Sequence, residues 1–580
     1  MKTLKLLFAA LLLSAPAFAR PESLNVLKAE YLDKLFAAKP HLATFLGDHR
    51  FDDKVVDLSE KARARREAEL VDEQKRLGTI DQSKLSLDDK IDASVLSDGI
   101  DLELLYLREI REFAWNPRLE DSFPFYDPRE IINERLAFII HGDYAPEAAR
   151  RKAVAAQLRA LPQLLDTYKI NLKTVSKTHW EQAVKDNKGR IEVFETEVKE
   201  FTQKDKEAEA ARVQAVAALK GFQTFLEKDL AGRATGDWRL GRALYAKKFP
   251  LALQTRLTIP DAIPRAEASF STARAELLEV ASRLYPKLFP GKKLPANQNQ
   301  VISEVKDELA KHHPKAPELV QAHARNLDKL RAFITAKDLL QLPPKETLSV
   351  VEMPLYKRGG AGAEYLAPGI LDKSKKEFHA TYFVDPVDPT WPADRIESYL
   401  RANNDYEVEL TAAHEAYPGH HTQFFYERRD LNPLRASLWN GAMAEGWACY
   451  GEGLLVRLGY GGDDNDRYRF FDARGRMIVA SNILLDIKLQ SGDMTDEQAI
   501  RFMVDQGFQE QAQAEKKLQR AKLDSTQLAQ YWLGLDQITR LEADYRKKVG
   551  GKYSQRAFDE GLIGHGSIAV EHLRRFLLGE

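Results

Sequence analysis

A chain of 580 residues with 86 basic and 87 acidic side chains is close to neutral, which excludes the strongly basic face that nucleic acid demands. Hydrophobic residues make up 44% of it, enough for a large core, and Cys449 is the single cysteine, so no intrachain disulfide holds the fold. In chain order, residues 1–19 read as an export signal. Lys2 and Lys5 give a positive start, Leu6 to Leu13 an apolar run, and Ala17-Phe18-Ala19 a small-residue cleavage site. That run is far shorter than the roughly 20 residues that span a bilayer. No second long apolar stretch follows, and no cysteine beside the cleavage site is available to carry a lipid. The expected location is periplasmic or secreted, with no membrane anchor after cleavage. Of the basic side chains, Lys2 and Lys5 leave with the signal, so 84 remain against 87 acidic ones.

From about Ser23 to Leu342 the pattern is helical: Leu24, Leu27, Tyr31 and Leu35, for example, recur at the spacing of one buried helix face. The Lys/Glu-rich stretch from Gln203 to Gln214 reads as a solvated helix surface. The texture changes at Pro343-Pro344. Leu348 to Met353 reads as a strand closed by Pro354, and Phe378 to Val384 as a second closed by Asp385-Pro386, with the turn-rich Arg358-Gly359-Gly360 between them. Helical pattern then resumes to the C-terminus.

The chemistry concentrates where it resumes. Of 13 histidines, His414, His420 and His421 fall within a short segment, and Glu415 follows His414 directly. A His-Glu pair with a second histidine beyond it is how zinc hydrolases assemble a site: the imidazoles bind the metal and the glutamate works as the base. The spacing departs from the usual four residues, and position 418 is a proline. In a straight helix His420 lies about 600° round from His414, pointing away, and His421 about 10.5 Å along the axis. Neither geometry works. Pro418 removes a backbone donor and Gly419 admits unusual dihedrals, so a widened turn there would swing His420 back towards His414. A third ligand is expected from the next helix, Gly441 to Leu458, where Glu445 and Glu452 share a face; one would ligate and the other orient a histidine. Gly446 and Ala448 would let that helix approach closely.

The segment His414-Glu415-x-x-Pro418-Gly419-His420, followed by Glu445-Gly446-Trp447-Ala448 and Tyr450-Gly451-Glu452, resembles the bacterial domain-of-unknown-function family eight-eight-five. That family is grouped by fold with the zinc peptidases whose third ligand is a glutamate on the following helix. The resemblance extends from Leu46-Gly47-Asp48-His49-Arg50 to the C-terminal helices. It implies one zinc ion per chain held by His414, His420 and Glu445, with Glu415 as catalytic base, and it sets His421 aside because the family pattern stops at His420. Gln527 to Gly534 matches the family at its Gln, Tyr and Gly positions, although Ser525-Thr526 stands where Pro-Gly is common. Asp486 matches a family aspartate, while Gln490 stands where histidine is frequent. Tyr531 is expected to donate a hydrogen bond to a developing oxyanion, and His565, in Gly564-His565-Gly566, is read as a loop histidine.

The expected fold is therefore mainly α: a large helical protein with a small β-sheet beside the metal-binding helices. Residues 20–342 form a helical N-terminal lobe and 343–580 a catalytic lobe, together one unit. The expected activity is zinc-dependent hydrolysis of a peptide or small amide, with the strand Phe378 to Val384 lying along the cleft to pair with substrate backbone. A non-peptide amidase or esterase, or a non-catalytic metal-containing binding protein, are the alternatives.

Overall fold

The structure is a computed structural model that describes residues 23–125, 127–354, 357–358, 362–367, 369–372 and 379–580. The export segment 1–19, Gly359-Gly360 and Phe378 lie outside the described residues. Helices dominate, and one hydrophobic core runs through them from both ends of the chain. It joins Leu27, Tyr31, Leu96 and Leu277 to Tyr382, Tyr417, Trp447 and Phe558. The early apolar residues read at helical spacing are the ones that enter it: Leu24, Leu27, Tyr31 and Leu35 are all buried on the helix Leu24–Ala38. A second core, from Leu119 to Leu230, sits under the helices Glu147–Asn171, Lys177–Glu195 and Lys206–Thr224. The long helix Ile259–Leu288 packs along Asn465–Gln490, so the first half of the chain supplies the backing for the second.

Each half also carries one small sheet. Strands β1 (Glu120–Asp121) and β2 (Arg129–Glu130) form a short antiparallel ladder. Strands β3 (Leu348–Glu352), β4 (Ala363–Leu366) and β5 (Ala380–Val384) form a sheet in the order β3-β5-β4. β3 runs parallel to β5, and β4 antiparallel to it, with Tyr365 opposite Tyr382. This corrects the sequence reading in one respect. β5 has a strand on each side, so its backbone groups are committed; the edges are β3 and β4, and β4 is the one that borders the cleft described below. The four residues Ala-Glu-Tyr-Leu carry no β-branched side chain, which is why this strand gives no pattern in the sequence.

Just beyond β4, the Gly369 and Leu371 amides donate to the Phe45 and Leu46 carbonyls at 2.9 and 2.7 Å. Gly47 allows this approach. Its φ is +87°, and a Cβ there would lie 2.6 Å from the Gly369 Cα.

Candidate functional site

The helix Asp405–Glu415, here the motif helix, begins at Asn404, whose side chain accepts from the Tyr406 and Glu407 amides at 3.2 Å. It stops at Glu415, and a new helix, His420–Arg429, begins after four intervening residues. Between them the chain makes a wide turn. The Gly419 amide donates to the Ala413 carbonyl, six residues back, at 3.0 Å, and the Thr422 amide reaches Ala416 in the same way at 3.3 Å. An α-helical bond spans four residues, so this turn is opened by two. Gly419 is obligatory there, because a Cβ would sit 1.7 Å from the His414 carbonyl oxygen. The turn is also clamped from outside: the Trp447 indole donates to the Pro418 carbonyl at 3.0 Å, and Gly451 leaves room for the Pro418 ring.

The opened turn brings His420 back beside His414, with ring centroids 4.9 Å apart and planes perpendicular. The glutamate helix, Gly441–Arg457, brings Glu445 to the same point. Its Oε2 lies 3.3 Å from His414 Nε2 and 3.8 Å from His420 Nε2, is buried, and has no partner in hydrogen-bonding geometry. A buried carboxylate oxygen left unpaired is costly. Two imidazole nitrogens and one such oxygen converging within 4.8 Å make a donor set that fits a divalent cation.

Glu452 supports the cluster from behind, its Oε1 lying 2.6 Å from His414 Nδ1. With Nδ1–H donating to that carboxylate, the lone pair of Nε2 faces Glu445. Burial opposes a charge on His414, but its contacts with Cys449, Glu445 and Glu452 carry its pKa well above the ordinary value. Glu445 and Glu452 thus favour a positive charge at this spot. Burial pushes the Cys449 thiol up to about 11, so it stands as a neutral thiol next to His414. His420 goes the other way, lowered to about 4 by burial, which favours the neutral imidazole that ligation needs.

Glu415 is buried and lines the same cavity, a cleft of about 420 Å³. Burial, reinforced by Glu445 and Glu364 and opposed by His414, raises its carboxyl to about 7. Tyr531 lines the cleft too, its ring 6.5 Å from that of His414. The helix Gln527–Val549 that carries it crosses the glutamate helix with backbones touching: a Cβ on Gly534 would lie 1.7 Å from the Ala442 carbonyl oxygen. The Tyr531 hydroxyl accepts from Arg520 Nη2 at 3.2 Å and from Gln527 Nε2 at 3.4 Å, which leaves its own proton to donate. Burial holds that proton, raising the phenol to about 12.

Other residues singled out in the sequence lie elsewhere. His421 is fully buried with its nitrogens against hydroxyls, Nε2 at 3.0 Å from Thr347 Oγ1 and Nδ1 at 3.1 Å from Tyr365. Asp486 accepts from the Thr526 and Ala529 amides at 3.2 Å and so anchors the start of the Tyr531 helix. Gln490 brackets Leu240 and Ala521. The His565 ring stacks flat on Phe576 at 3.9 Å and is not among the cavity-lining residues. Conversely, sequence reasoning passed over Arg520, Lys517, Tyr365 and Asp127, all of which line the cleft. Arg520 and Lys517 sit in the charge-rich helix Gln511–Leu523, where nothing in the pattern sets them apart from surface residues.

The fold and the site define a class: a large, mainly helical protein whose cleft gathers two histidines and a glutamate around one point, with a further acid beside them. The model of the family described as "Bacterial protein of unknown function (DUF885)" matches residues 40–577, and the chain belongs to that family. The fold is similar to the solved structure of a "putative lipoprotein of unknown function" from Shewanella oneidensis, at 25% identity and a TM-score of 0.79, over 96% of this chain and 100% of that one. It is also similar to that of a "putative lipoprotein from Colwellia psychrerythraea", at 17% identity and a TM-score of 0.77, over 97% of this chain and 99% of that one. No curated protein matches the chain. Among the described residues, no helix is long and apolar enough to cross a membrane.

Proposed function

We propose that this chain is an exported, zinc-dependent hydrolase that cleaves peptide bonds. The observation that carries the reading is the convergence of His414, His420 and the unpartnered, buried Glu445 Oε2 beside a second, non-converging acid, Glu415. A purely structural metal site is closed by its ligands and has no use for a base next to them, whereas a hydrolytic site requires one. The names of the two similar structures agree with export, and export is part of the proposal.

When bound, zinc would supply Lewis acidity and lower the pKa of water towards about 7. The rest falls to side chains of this protein. His414, His420 and Glu445 would hold the ion, and Glu452 would keep His414 in the tautomer that does so. Glu415 takes the proton from the attacking water at a carboxylate oxygen and delivers it to the departing nitrogen. Tyr531 donates its free O–H to the carbonyl oxygen as charge builds there. The edge of β4, at Ala363 to Tyr365, borders the cleft and offers backbone groups to an extended substrate.

The test is a pair of measurements on purified protein. Zinc content should be close to one ion per chain, and a broad peptide library followed by mass spectrometry should show cleavage. Glu415→Gln should keep the zinc and lose turnover by orders of magnitude. Near-full activity in that variant, or zinc-loaded wild type that cleaves nothing in peptide or ester libraries, would sink the proposal.

A further inference from the structure

The cavity wall formed by the helix Gln511–Leu523 has a feature that water activation does not use. Arg520 and Lys517, three residues apart and so on one face, both line the cleft. Elsewhere in the molecule, buried arginines meet carboxylates: Arg66 meets Glu103 at 2.8 Å, Arg435 meets Asp92 at 2.7 Å and Arg474 meets Glu407 at 2.7 Å. Arg520 does not. Among the described residues its guanidinium makes one side-chain hydrogen bond, to the neutral Tyr531 hydroxyl, and lies 5.9 Å from that ring. Lys517 donates to the neutral Asn482 Oδ1 at 2.9 Å, again with no carboxylate in ion-pair range among the described residues.

The acids nearby are largely committed to other cations. Glu407 is held by Arg474, Glu510 by Lys306 at 2.9 Å, and Glu364 by Lys357 at 2.9 Å. Asp127 and Glu445 act on Arg520 only through space, and Glu445 faces the two histidines. Two half-buried basic groups left without a salt bridge in a cleft are placed to receive an anion. Burial already draws Lys517 down to about 7, with Arg520 and Arg474 adding to it. A guanidinium fork suits a carboxylate, which it can hold through two parallel hydrogen bonds.

The position selects which carboxylate. Arg520 touches Tyr531, and Tyr531 faces His414, so the guanidinium lies one side chain away from the candidate metal centre. In a peptide, the carbonyl under attack and the carboxylate of a following terminal residue are separated by one residue, about 4 Å. We propose that Arg520 and Lys517 form a carboxylate subsite, and that the substrate is a peptide or acylated amino acid with a free C-terminal carboxylate immediately beyond the scissile bond. This rests on the peptidase reading above and adds to it the direction of cleavage: removal of C-terminal residues rather than cutting within a chain.

The experiment uses zinc-loaded, full-length Glu415→Gln protein and a panel of N-acylated tripeptides that covers the twenty C-terminal residues, each as free acid and as C-terminal amide. Retention is read by mass spectrometry. Free acids should be retained about 10- to 100-fold better than their amides, the range expected for losing charge-assisted hydrogen bonds. Arg520→Met should abolish that preference and Lys517→Met should reduce it, with zinc content and melting temperature checking that each variant is folded. Equal retention of acids and amides, or retention of no member of the panel, overturns the subsite whatever the variants do. The two readings fail differently. Zinc-loaded wild type that cleaves acids and amides alike removes the subsite and leaves the peptidase. Acid-selective retention without cleavage of any panel member keeps the subsite and removes the hydrolytic reading.

Discussion

Gly419→Ala tests the opened turn on which the whole site depends. The added methyl carbon would lie 1.7 Å from the His414 carbonyl oxygen and 2.5 Å from that of Ala413. Carbon and oxygen in ordinary contact are about 3.3–3.6 Å apart, so the two strands of the turn must separate by roughly 1.5 Å or more. Metal sites tolerate about 0.2 Å in ligand distance. The displacement falls on His414 itself, since the clashing oxygen belongs to that residue. Overpacking of this kind costs about 1–3 kcal/mol of stability, a modest loss for a core of this size. Zinc affinity should fall far more, on the order of 100-fold or beyond. Competition against a chromophoric chelator measures the affinity, and a thermal melt of the same preparation measures the fold. Gly475→Ala is the control: it lies within the helix Asn465–Gln490, a Cβ there meets nothing within 4 Å, and it should be neutral or stabilising by up to about 1 kcal/mol. Wild-type zinc affinity in Gly419→Ala would refute the account of the turn.

His414→Ala, His420→Ala and Glu445→Ala should each abolish stoichiometric zinc by metal analysis, whereas His421→Ala should retain it and instead lower the melting temperature through a cavity beside Tyr365 and Tyr417. Tyr531→Phe should lower turnover on the order of 100-fold while zinc content and substrate retention stay near normal; unchanged turnover with a lower melting temperature would assign Tyr531 to packing. Removing zinc with a chelator should lower the melting temperature of wild type, since an ion bound only by the folded state stabilises it by mass action; an unchanged melt would count against the site. Asp486 gives a pH signature. Burial raises its carboxyl to about 7, so the folded chain holds a proton that the unfolded chain releases above its ordinary value near 4. Its contribution to stability therefore falls as pH rises between those values, by at most about 1.4 kcal/mol per pH unit. Urea melts across that range should show a shallower decline for Asp486→Asn than for wild type.

The helical class and the strand texture after Pro343 were legible because period and punctuation are local signals. So was the misfit in the motif: with Pro418 where a histidine usually stands, only an opened turn could bring His420 back, and the Gly419-to-Ala413 bond is such a turn. What escaped was set by tertiary placement. β4 is four residues long and has no alternating pattern, yet it takes the sheet edge that the sequence reading had given to the strand before Asp385. Arg520 and Lys517 belong to a helix with an unremarkable run of charges, and only docking of that helix against the cleft separates them from solvated neighbours such as Glu515 and Gln519. Asp486 and Gln490 fall on one buried helix face, but their partners are backbone groups about 40 and 250 residues distant, which no local pattern encodes.

Glycine at the crossing of two helices ties these pieces together. A Cβ on Gly446 would lie 2.4 Å from the Gly534 Cα, and one on Gly534 would meet the Ala442 carbonyl, so the two helices approach until their backbones touch. Glu445 precedes the first glycine and Tyr531 stands three residues before the second. Their relative position is thus set by main chain rather than by flexible side chains. Trp447, one residue beyond Gly446, hydrogen-bonds the Pro418 carbonyl and so fixes the histidine turn to the same helix. Glu445 from the glutamate helix, the hydroxyl from its neighbour and the opened turn are therefore referenced to one rigid crossing. On the proposed function, a site assembled in this way would have little freedom to tighten on an ion by adjustment of loops, and small insertions of volume at the crossing should act on metal content and turnover before they act on the fold.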